Sequence, residues 1–158
     1  PQHALALALV RSMLDELGPA VEAAVLAERA RVGVYLGAWL APAEDACIKS
    51  AFAAIGNSLS AVAARVANVH DLHGPAITVN TACSSALVAV DMAMRDARSG
   101  RISYAIVGGV NLIAGSAGAA GMFTHLSRAG MLSPTSACHA LSAAADGYVR
   151  AEGGVVFL

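Results

Sequence analysis

The feature that most constrains the fold is a short apolar segment that runs directly into an amphipathic helix. Residues 74–80 read Gly-Pro-Ala-Ile-Thr-Val-Asn, which is typical of a strand bounded by turn residues. Small and apolar residues then recur at helical spacing as far as Ala97, and Ser99-Gly100 ends that pattern. A second apolar segment, Tyr104–Val107, follows. Strands that alternate with helices predict an α/β fold with a largely parallel sheet.

A cysteine occupies the junction between this strand and this helix. Cys83 stands in the run Thr-Ala-Cys-Ser-Ser at 81–85, close to the predicted helix N-terminus. Free backbone N–H groups and the helix dipole favour the thiolate form of a cysteine at such a position. The same N–H groups are candidate donors to the oxyanion of a thioester under attack. Two interpretations stay open on this pattern alone: Cys83 is a nucleophile, or it is a small buried hydrophobic residue.

The composition is apolar and poor in charge. Hydrophobic residues make up 57% of the 158 residues, and charged residues only 13%, about half the usual share of roughly 25%. We therefore expect buried parallel strands and a large protein interface, against a second copy or other parts of the same polypeptide. The net charge of −1, without a basic patch, excludes nucleic acid as an expected partner.

The cysteine content and the start of the sequence bear on cellular location. Cys47, Cys83 and Cys138 are too few and wrongly spaced for a disulfide framework or a zinc site. A reducing, cytoplasmic setting is therefore expected. The sequence has no positively charged, apolar signal peptide, and it opens on Pro1 within a helical pattern, which indicates a segment of a longer polypeptide.

Residues 105–123 form an uncharged stretch that is long enough to cross a bilayer. Five glycines, together with Asn111 and Ser116, interrupt it, so we expect no membrane span but a strand over 104–107 that runs into a Gly-rich loop. Gly108-Gly109 is then expected to form a tight backbone turn. Phosphate binding is the alternative for these glycines, but the sequence has neither a G-x-G-x-x-G motif nor a P-loop lysine there.

The remaining segments are assigned to a single domain over residues 1–158. Helices are predicted for Ala4–Leu17 and 57–69, with a short one for Phe123–Met131. Val32–Ala38 is predicted to be a strand, and Gly154–Leu158 the start of another. The stretch 20–31 is interpreted as either a further helix or a surface connection.

Four ordered motifs lie around Cys83. Gly74-Pro75 precedes the Thr-Ala-Cys-Ser-Ser run, and Val-Gly-Gly-Val-Asn follows at 107–111. The others are Ser127-Arg128 with Met-Leu-Ser-Pro at 131–134, and Ala-Ala-Ala-Asp-Gly-Tyr-Val-Arg at 143–150 with Glu152-Gly153. In order and spacing these motifs resemble the β-ketoacyl synthases, specifically the ketosynthase domains of modular type I polyketide synthases. The resemblance extends over nearly the whole chain.

The resemblance implies a thiolase-like fold, in which two similar α/β halves pack into a layered αβαβα sandwich. Residues 1–158 would form most of the N-terminal half, with the first strand of the fold upstream of Pro1. Members of the family are normally homodimers. The strand Gly74–Asn80 would lie at the dimer interface, which would explain the excess of apolar residues.

The reaction of that family is a decarboxylative Claisen condensation. An acyl chain moves from the phosphopantetheine arm of an acyl carrier protein to a cysteine, and the carbanion of a decarboxylated malonyl-type extender then attacks it. The resemblance assigns the acyl-accepting role to Cys83, whose own N–H would be half of the oxyanion hole. Two catalytic histidines would lie in a C-terminal half, beyond Leu158. The resemblance implies no metal and no tightly bound organic cofactor.

Several positions depart from the family pattern. Asn80 stands where relatives usually carry Asp, and Thr135-Ser136-Ala137 replaces a typical Asp-Gly-Arg turn. Leu141-Ser142 replaces Phe-Asp, and Ala151 replaces a common Gly. Loss of the carboxylates would remove hydrogen bonds that fix loops near the site, which predicts either reduced activity or divergence within an unusual synthase lineage.

Other side chains are weaker candidates for chemistry. His139 follows Cys138, but relatives usually carry a Lys there, so we expect Cys138 to be structural. His125 is expected at the surface or in the lining of the pocket. The remaining candidates, assigned to helix ends, loops or an inert thiol, are His3, His70, His73 and Cys47.

Two alternatives to a condensing enzyme stay open. One is a non-catalytic partner subunit that docks on a complete synthase through the interface strand. The other is a split enzyme whose histidines belong to another polypeptide. The presence of Cys83 argues against the first alternative, because a scaffold has no chemical need for that thiol.

Overall fold

The computed structural model describes residues 2–39, 53–56, 58–113 and 117–158. Its strands are β1 (Val32–Ala38), β2 (Ala76–Val79), β3 (Tyr104–Asn111) and β4 (Gly153–Phe157). Its helices are α1 (Gln2–Leu17), α2 (Pro19–Ala27), α3 (Ala53–Gly56), α4 (Ala61–Val69), α5 (Ser85–Arg98) and α6 (Ala117–Arg128), with a 3-10 turn at Arg29–Arg31.

The four strands form one mixed sheet in the order β2-β1-β3-β4. Strand β1 pairs in parallel with β2 and β3, and β4 alone runs antiparallel, along β3. All seven residues of β1 are buried, as expected for a central strand that is covered on both faces. The predicted α/β fold with a largely parallel sheet is therefore confirmed.

Helices cover both faces of the sheet and divide the core in two. Val34 and Leu36 of β1 pack with Ile106 of β3 against α1 and α4 on one face. Tyr35, between Val34 and Leu36, faces the other way and packs with Val107 of β3 against α5. This alternation follows from the two-residue period of a strand, and it builds an α/β/α arrangement with α5 on one face and α1 and α4 on the other.

A partly buried polar contact fastens the C-terminal half of α5 to β1. The hydroxyl of Tyr35, a fully buried residue, donates a hydrogen bond of 2.5 Å to Oδ2 of Asp96. Arg101 Nη1 lies 3.4 Å from the same carboxylate oxygen. Burial, together with the hydrogen bond to Asp96, raises the pKa of Tyr35, so the phenol stays protonated and remains a donor.

Glycines let the first turn of α5 lie directly on the sheet backbone. A Cβ on Gly37 of β1 would lie 2.5 Å from the backbone nitrogen of Ala86, and one on Gly109 of β3 would lie 3.0 Å from Ala86 Cβ. On β3, a Cβ at Gly108 would overlap the carbonyl of Val155 in β4. Only glycine fits at Gly37 and Gly108, because helix or strand backbone occupies the space of a side chain there, whereas a Cβ at Gly109 would make a tight contact with Ala86 Cβ.

The prediction for Gly108-Gly109 is wrong. Both glycines lie inside β3, which extends to Asn111, and neither forms a turn. The physical reason is close packing, since α5 and β4 approach the backbone at these positions. The sequence pattern marks such glycines as breakers, although a glycine inside a strand also signals a close backbone approach.

Most other element predictions are confirmed, with shifted ends. Val32–Ala38 has the predicted bounds, and the stretch 20–31 contains α2 and the 3-10 turn. Helix α6 begins at Ala117, before the predicted Phe123, and α4 begins at Ala61.

Among the helices of the described ranges, none is long and apolar enough to cross a membrane.

We expect Gly37→Ala to loosen the start of α5. Because the added methyl meets the backbone of Ala86, the helix has to move away, and such overpacking costs about 1–3 kcal/mol. Amide hydrogen exchange of the α5 peptide, followed by mass spectrometry, should accelerate about 5-fold or more.

Gly121→Ala in α6 is the matched control. A Cβ at Gly121 meets nothing within 4 Å, and alanine is a better helix former than glycine. Exchange in α5 should therefore stay unchanged in this control. An α5 exchange rate that is equally unchanged in Gly37→Ala would contradict the packing argument.

Candidate active site

The turn between β2 and α5 presents the predicted nucleophile. Cys83 lies two residues before the first residue of α5, and its side chain is exposed. The predicted position at a strand-to-helix junction is confirmed. The alternative of a small buried hydrophobic residue is not, because the thiol is accessible from outside the core.

The residue before Cys83 has an unusual backbone conformation. Ala82 has a φ of 56°, in the left-handed region that costs a non-glycine residue roughly 1–2 kcal/mol. This sharp turn reverses the chain between the end of β2 and the start of α5. Such backbone strain is found at functional sites where the surrounding structure holds it in place.

Side-chain hydrogen bonds hold this turn from both ends. Asn80 Oδ1 accepts from the backbone N–H of Ala82 at 3.2 Å, as in an Asx turn. The buried Ser85 hydroxyl accepts from the N–H of Thr81 at 2.9 Å and donates to the carbonyl of Ala82 at 2.6 Å. Ser84 Oγ adds a bond of 2.9 Å to the carbonyl of Thr81. Asn80 thus supplies a side-chain acceptor where relatives usually carry Asp.

Cys83 opens into a cavity of about 340 Å³, which we call the Cys83 cavity. Its walls come from the carboxyl ends of β1 and β3, the start of α5, and the segment that leads into β4. Because β1 and β3 are parallel, their carboxyl ends meet at one edge of the sheet, where α/β proteins commonly bind ligands. The lining residues used below are Trp39, Cys83, Asn111, Tyr148 and Arg150.

The wall that contains Tyr148 is anchored by backbone contacts. Tyr148 donates its N–H to the carbonyl of Met131 at 3.0 Å and accepts from the N–H of Ser133 at 3.1 Å. Gly147, with a φ of 138°, lies so close to Ser133 that a Cβ would come within 2.5 Å of its nitrogen. The N–H of Val149 lies 3.1 Å from Cys138 Sγ and donates to it, so that Cys138 takes part in holding the wall.

The substituted turn at 135–137 also keeps a hydrogen-bond network. Thr135 Oγ1 donates to Asp146 Oδ2 at 2.8 Å, and Ser133 Oγ accepts from the N–H groups of Thr135 and Ala137. Hydrogen bonds from Ser133 and Thr135 lower the pKa of Asp146, which keeps that exposed carboxylate charged. The loop therefore has fixed contacts although it lacks the residues usual in the family.

No histidine of the described residues lines the Cys83 cavity. His125 and His139 are exposed at other positions, and His73 pairs with Asp71 at 2.9 Å. Burial lowers the pKa of both His3 and His70, and His3 Nε2 lies 3.2 Å from the carbonyl oxygen of Ser58. Cys47 lies outside the described residues.

Sequence reasoning missed most of the residues that form the cavity walls. Asn111, Tyr148 and Arg150 stand in recognised motifs, but nothing in those motifs indicates that they share a cavity with Cys83. Trp39 belongs to none of those motifs. The signal that could have found Trp39 and Asn111 is their position at the carboxyl ends of two neighbouring parallel strands, where ligand sites are common.

Comparisons with known proteins identify relatives of this arrangement. Residues 1–158 match the family described as β-ketoacyl synthase, N-terminal domain. A mycocerosic acid synthase-like polyketide synthase of Mycolicibacterium smegmatis is 42% identical over 162 residues, which cover 99% of this chain and 7% of that protein. The chain therefore spans only a small part of this relative.

Solved ketosynthases share the fold. The oxazolomycin ketosynthase domain of Streptomyces albus JA3453 superposes with a TM-score of 0.70 at 32% identity, over 85% of this chain and 23% of that chain. The ketosynthase from module 6 of the bacillaene synthase of Bacillus subtilis 168 gives 0.63 at 35% identity, over 80% and 21%. The predicted thiolase-like α/β fold and the resemblance to ketosynthases are thereby confirmed.

We expect Ala82→Gly to stabilise the protein. Glycine adopts a φ of 56° without strain, so the free energy of unfolding should rise by about 0.5–1 kcal/mol. The melting temperature should then rise by up to about 4 °C. Ala97→Gly, at an exposed position of α5, is the matched control and should cost about 1 kcal/mol. If thermal melts show that both substitutions lower the melting temperature, the claim that the backbone at Ala82 is strained would be contradicted.

We expect Ser85→Ala to slow alkylation of Cys83 by iodoacetamide. Loss of the Ser85 hydroxyl leaves the N–H of Thr81 without its acceptor and removes one of the two hydrogen bonds to the carbonyl of Ala82, so the thiol is held less firmly at the start of α5. The rate should fall up to about 5-fold, which corresponds to the roughly 1 kcal/mol that a helix terminus contributes to an adjacent charge.

Ser99→Ala, at the other end of α5, is the control, because the Ser99 hydroxyl donates to the nearby carbonyl of Asp96 and not to the turn at Cys83. Mass spectrometry of the Cys83 peptide, with the Cys138 peptide as internal reference, gives the rates. A Ser85→Ala protein that reacts as fast as Ser99→Ala would show that the turn contacts do not control the thiol.

Proposed function

This chain belongs to the β-ketoacyl synthase family, whose N-terminal domain it matches throughout, and on that premise we propose that it extends acyl chains in polyketide biosynthesis. In this proposal Cys83 accepts the acyl chain, and a decarboxylative Claisen condensation with a malonyl-type extender follows. The observation that carries the proposal is an exposed thiol at the start of α5 that opens into a cavity of about 340 Å³.

The first half of the reaction is an acyl transfer to sulfur. The Cys83 thiolate attacks the thioester carbonyl of the donor, a new carbon–sulfur bond forms, and the donor's own sulfur leaves as a thiolate that takes up a proton. Backbone N–H groups near the start of α5 are suitable donors to the oxyanion that develops on the carbonyl oxygen. The sharp turn at Ala82 supports this role because it immediately precedes Cys83, which lines the cavity.

The proposed partners follow from the chemistry of the donor. An acyl carrier protein would deliver the acyl and malonyl groups on its phosphopantetheine arm, which serves as substrate carrier. The two histidines that assist decarboxylation would come from a C-terminal half of the enzyme. We also propose the homodimer expected for the family, with β2 near its interface. Strand β2 is a suitable edge, since it ends the sheet and its first residue is exposed.

We propose that the reaction needs no tightly bound cofactor. The described residues that line the cavity include Cys83 but no histidine, aspartate or glutamate. In the described ranges, no group of three or more histidine, cysteine, aspartate or glutamate side chains has the geometry to hold a metal ion. Covalent catalysis by the thiol supplies the chemistry instead.

We expect Cys83→Ala to abolish acyl loading in the full-length polypeptide that contains these residues. Without the thiol no covalent acyl-enzyme forms, so the mass increment should fall below detection. Cys138→Ser is the matched control, since Cys138 is also exposed but lies outside the lining of the Cys83 cavity, and serine keeps an acceptor for the N–H of Val149. This control should load within a few-fold of the wild-type rate.

Intact-protein mass spectrometry after incubation with an acyl thioester measures this loading. Loading that persists in Cys83→Ala would rule out the proposed nucleophile. It would also favour the alternative in which the chain is a non-catalytic partner that docks on another synthase, because the thiol would then have no chemical task.

A further inference from the structure

The Cys83 cavity contains one cationic side chain to which the proposed mechanism gives no task. Arg150 is the only charged residue among the described residues that line this cavity. It stands on the wall that leads into β4, whereas Cys83 stands at the start of α5. A substrate that reaches Cys83 therefore enters a space that already contains a permanent positive charge, because arginine stays protonated in proteins.

Two aromatic rings fix the position of this charge. The guanidinium carbon of Arg150 lies 4.7 Å from the ring centroid of Phe123 in α6 and 5.9 Å from that of Trp39, just after β1. Both distances are within the range of cation–π interactions. Trp39 is itself held, since Gln2 Nε2 donates to its carbonyl at 2.9 Å. The guanidinium is thus positioned by two rings from separate parts of the fold.

The rings hold the guanidinium, but one of its donor nitrogens has no acceptor. Arg150 Nη1 is buried and has no hydrogen-bond partner. The carboxylate nearest in sequence, Glu152, accepts from the backbone N–H of Ile113. A charged donor that has lost water without gaining an acceptor is unfavourable, so buried charges are normally paired. Within the described ranges, ring contacts hold this arginine in place, but no acidic side chain forms an ion pair with it.

The missing partner has a definite chemistry. A guanidinium presents its N–H groups as a planar fork, which matches the paired oxygens of a carboxylate or a phosphate. The thioester and acyl chain of the proposed donor are neutral. Its anionic oxygens are the carboxylate of a malonyl-type extender and the phosphate of the phosphopantetheine arm. Both sources offer the same oxyanion chemistry to one arginine.

We propose that the Arg150 guanidinium binds an anionic oxygen group of the thioester donor that enters the Cys83 cavity. This inference rests on the proposed function, because it takes the donor from that function. Arg150 then determines which donors bind well, and donors without an oxyanion gain nothing from it. A contact to a phosphate persists unchanged through acyl transfer, so its loss should raise KM and leave kcat nearly unaltered.

Three thioester donors separate the two sources of the oxyanion. Acetyl-N-acetylcysteamine has no anionic group, acetyl-phosphopantetheine has only the phosphate, and malonyl-N-acetylcysteamine has only the carboxylate. Each is tested on the full-length polypeptide that contains these residues. Acylation of Cys83 is measured for the acetyl donors by mass spectrometry, and release of carbon dioxide is measured for the malonyl donor.

Arg150→Met removes the charge but keeps most of the volume. We expect kcat/KM to fall about 10- to 100-fold for whichever donor bears the recognised oxyanion, the range typical of a charge-assisted hydrogen bond. The rate with acetyl-N-acetylcysteamine should stay unchanged, which also shows that the variant is folded. Arg150→Lys, which keeps a point charge without the planar fork, should recover part of the loss.

Arg98→Met, at the far end of α5 and outside the cavity lining, is the matched control and should behave as wild type with all three donors. An equal loss with all three donors in Arg150→Met would overturn the proposal, because Arg150 would then only build the wall. No loss with any donor would overturn it as well.

Failure of this inference differs from failure of the proposed function. If Cys83 is acylated in wild type and Arg150→Met is indistinguishable from it, only the inference fails. If no donor acylates Cys83 in the wild-type polypeptide, the proposed function fails, and the role of Arg150 as a binder of its donors fails with it.

Discussion

The arrangement of the site depends on how closely α5 approaches the sheet. Gly37 in β1 and Gly109 in β3 carry no side chain, so the first turn of this helix packs directly on these two strands through Ala86. That contact fixes the height of the helix start above the sheet, and therefore the position of Cys83 two residues earlier. The cavity in front of Cys83 exists because the carboxyl ends of β1 and β3 stop beside this helix start.

The far end of α5 is held by a different kind of interaction. The hydrogen bond from Tyr35 to Asp96 joins the middle of β1 to the last part of the helix, so that the helix is fastened at both ends. Between these anchors, Ala89 and Ala93 pack against the sheet in a small apolar core. A helix fixed in this way can support the strained backbone at Ala82, because the turn has little freedom to relax.

Much of the fold was predictable because the sequence carries strong local signals. Strand β1 is a continuous apolar run, and its bounds were predicted to the residue because every one of its positions is buried. The junction at Cys83 was predictable as well, since β2 ends and α5 begins within a few residues. The Gly108-Gly109 pair was misjudged because local propensity treats glycine as a breaker, whereas here tertiary packing demands it.

The walls of the site were less predictable, and the reason is separation along the chain. Trp39 and Arg150 are 111 positions apart in the sequence, and only the complete fold brings the guanidinium within 5.9 Å of the indole ring. The departures from the family pattern posed a similar problem. Residue types suggested lost contacts at Asn80 and at the turn 135–137, but the hydrogen bonds present there become visible only from geometry.

The most direct test of the role of Cys83 is to identify the atom that receives the acyl group. The full-length wild-type polypeptide would be incubated with an acyl thioester, digested, and sequenced by tandem mass spectrometry. The proposed mechanism predicts a hydroxylamine-labile acyl group on the sulfur of Cys83 and none on Cys138. An acyl group located on any other residue, with Cys83 unmodified, would contradict it.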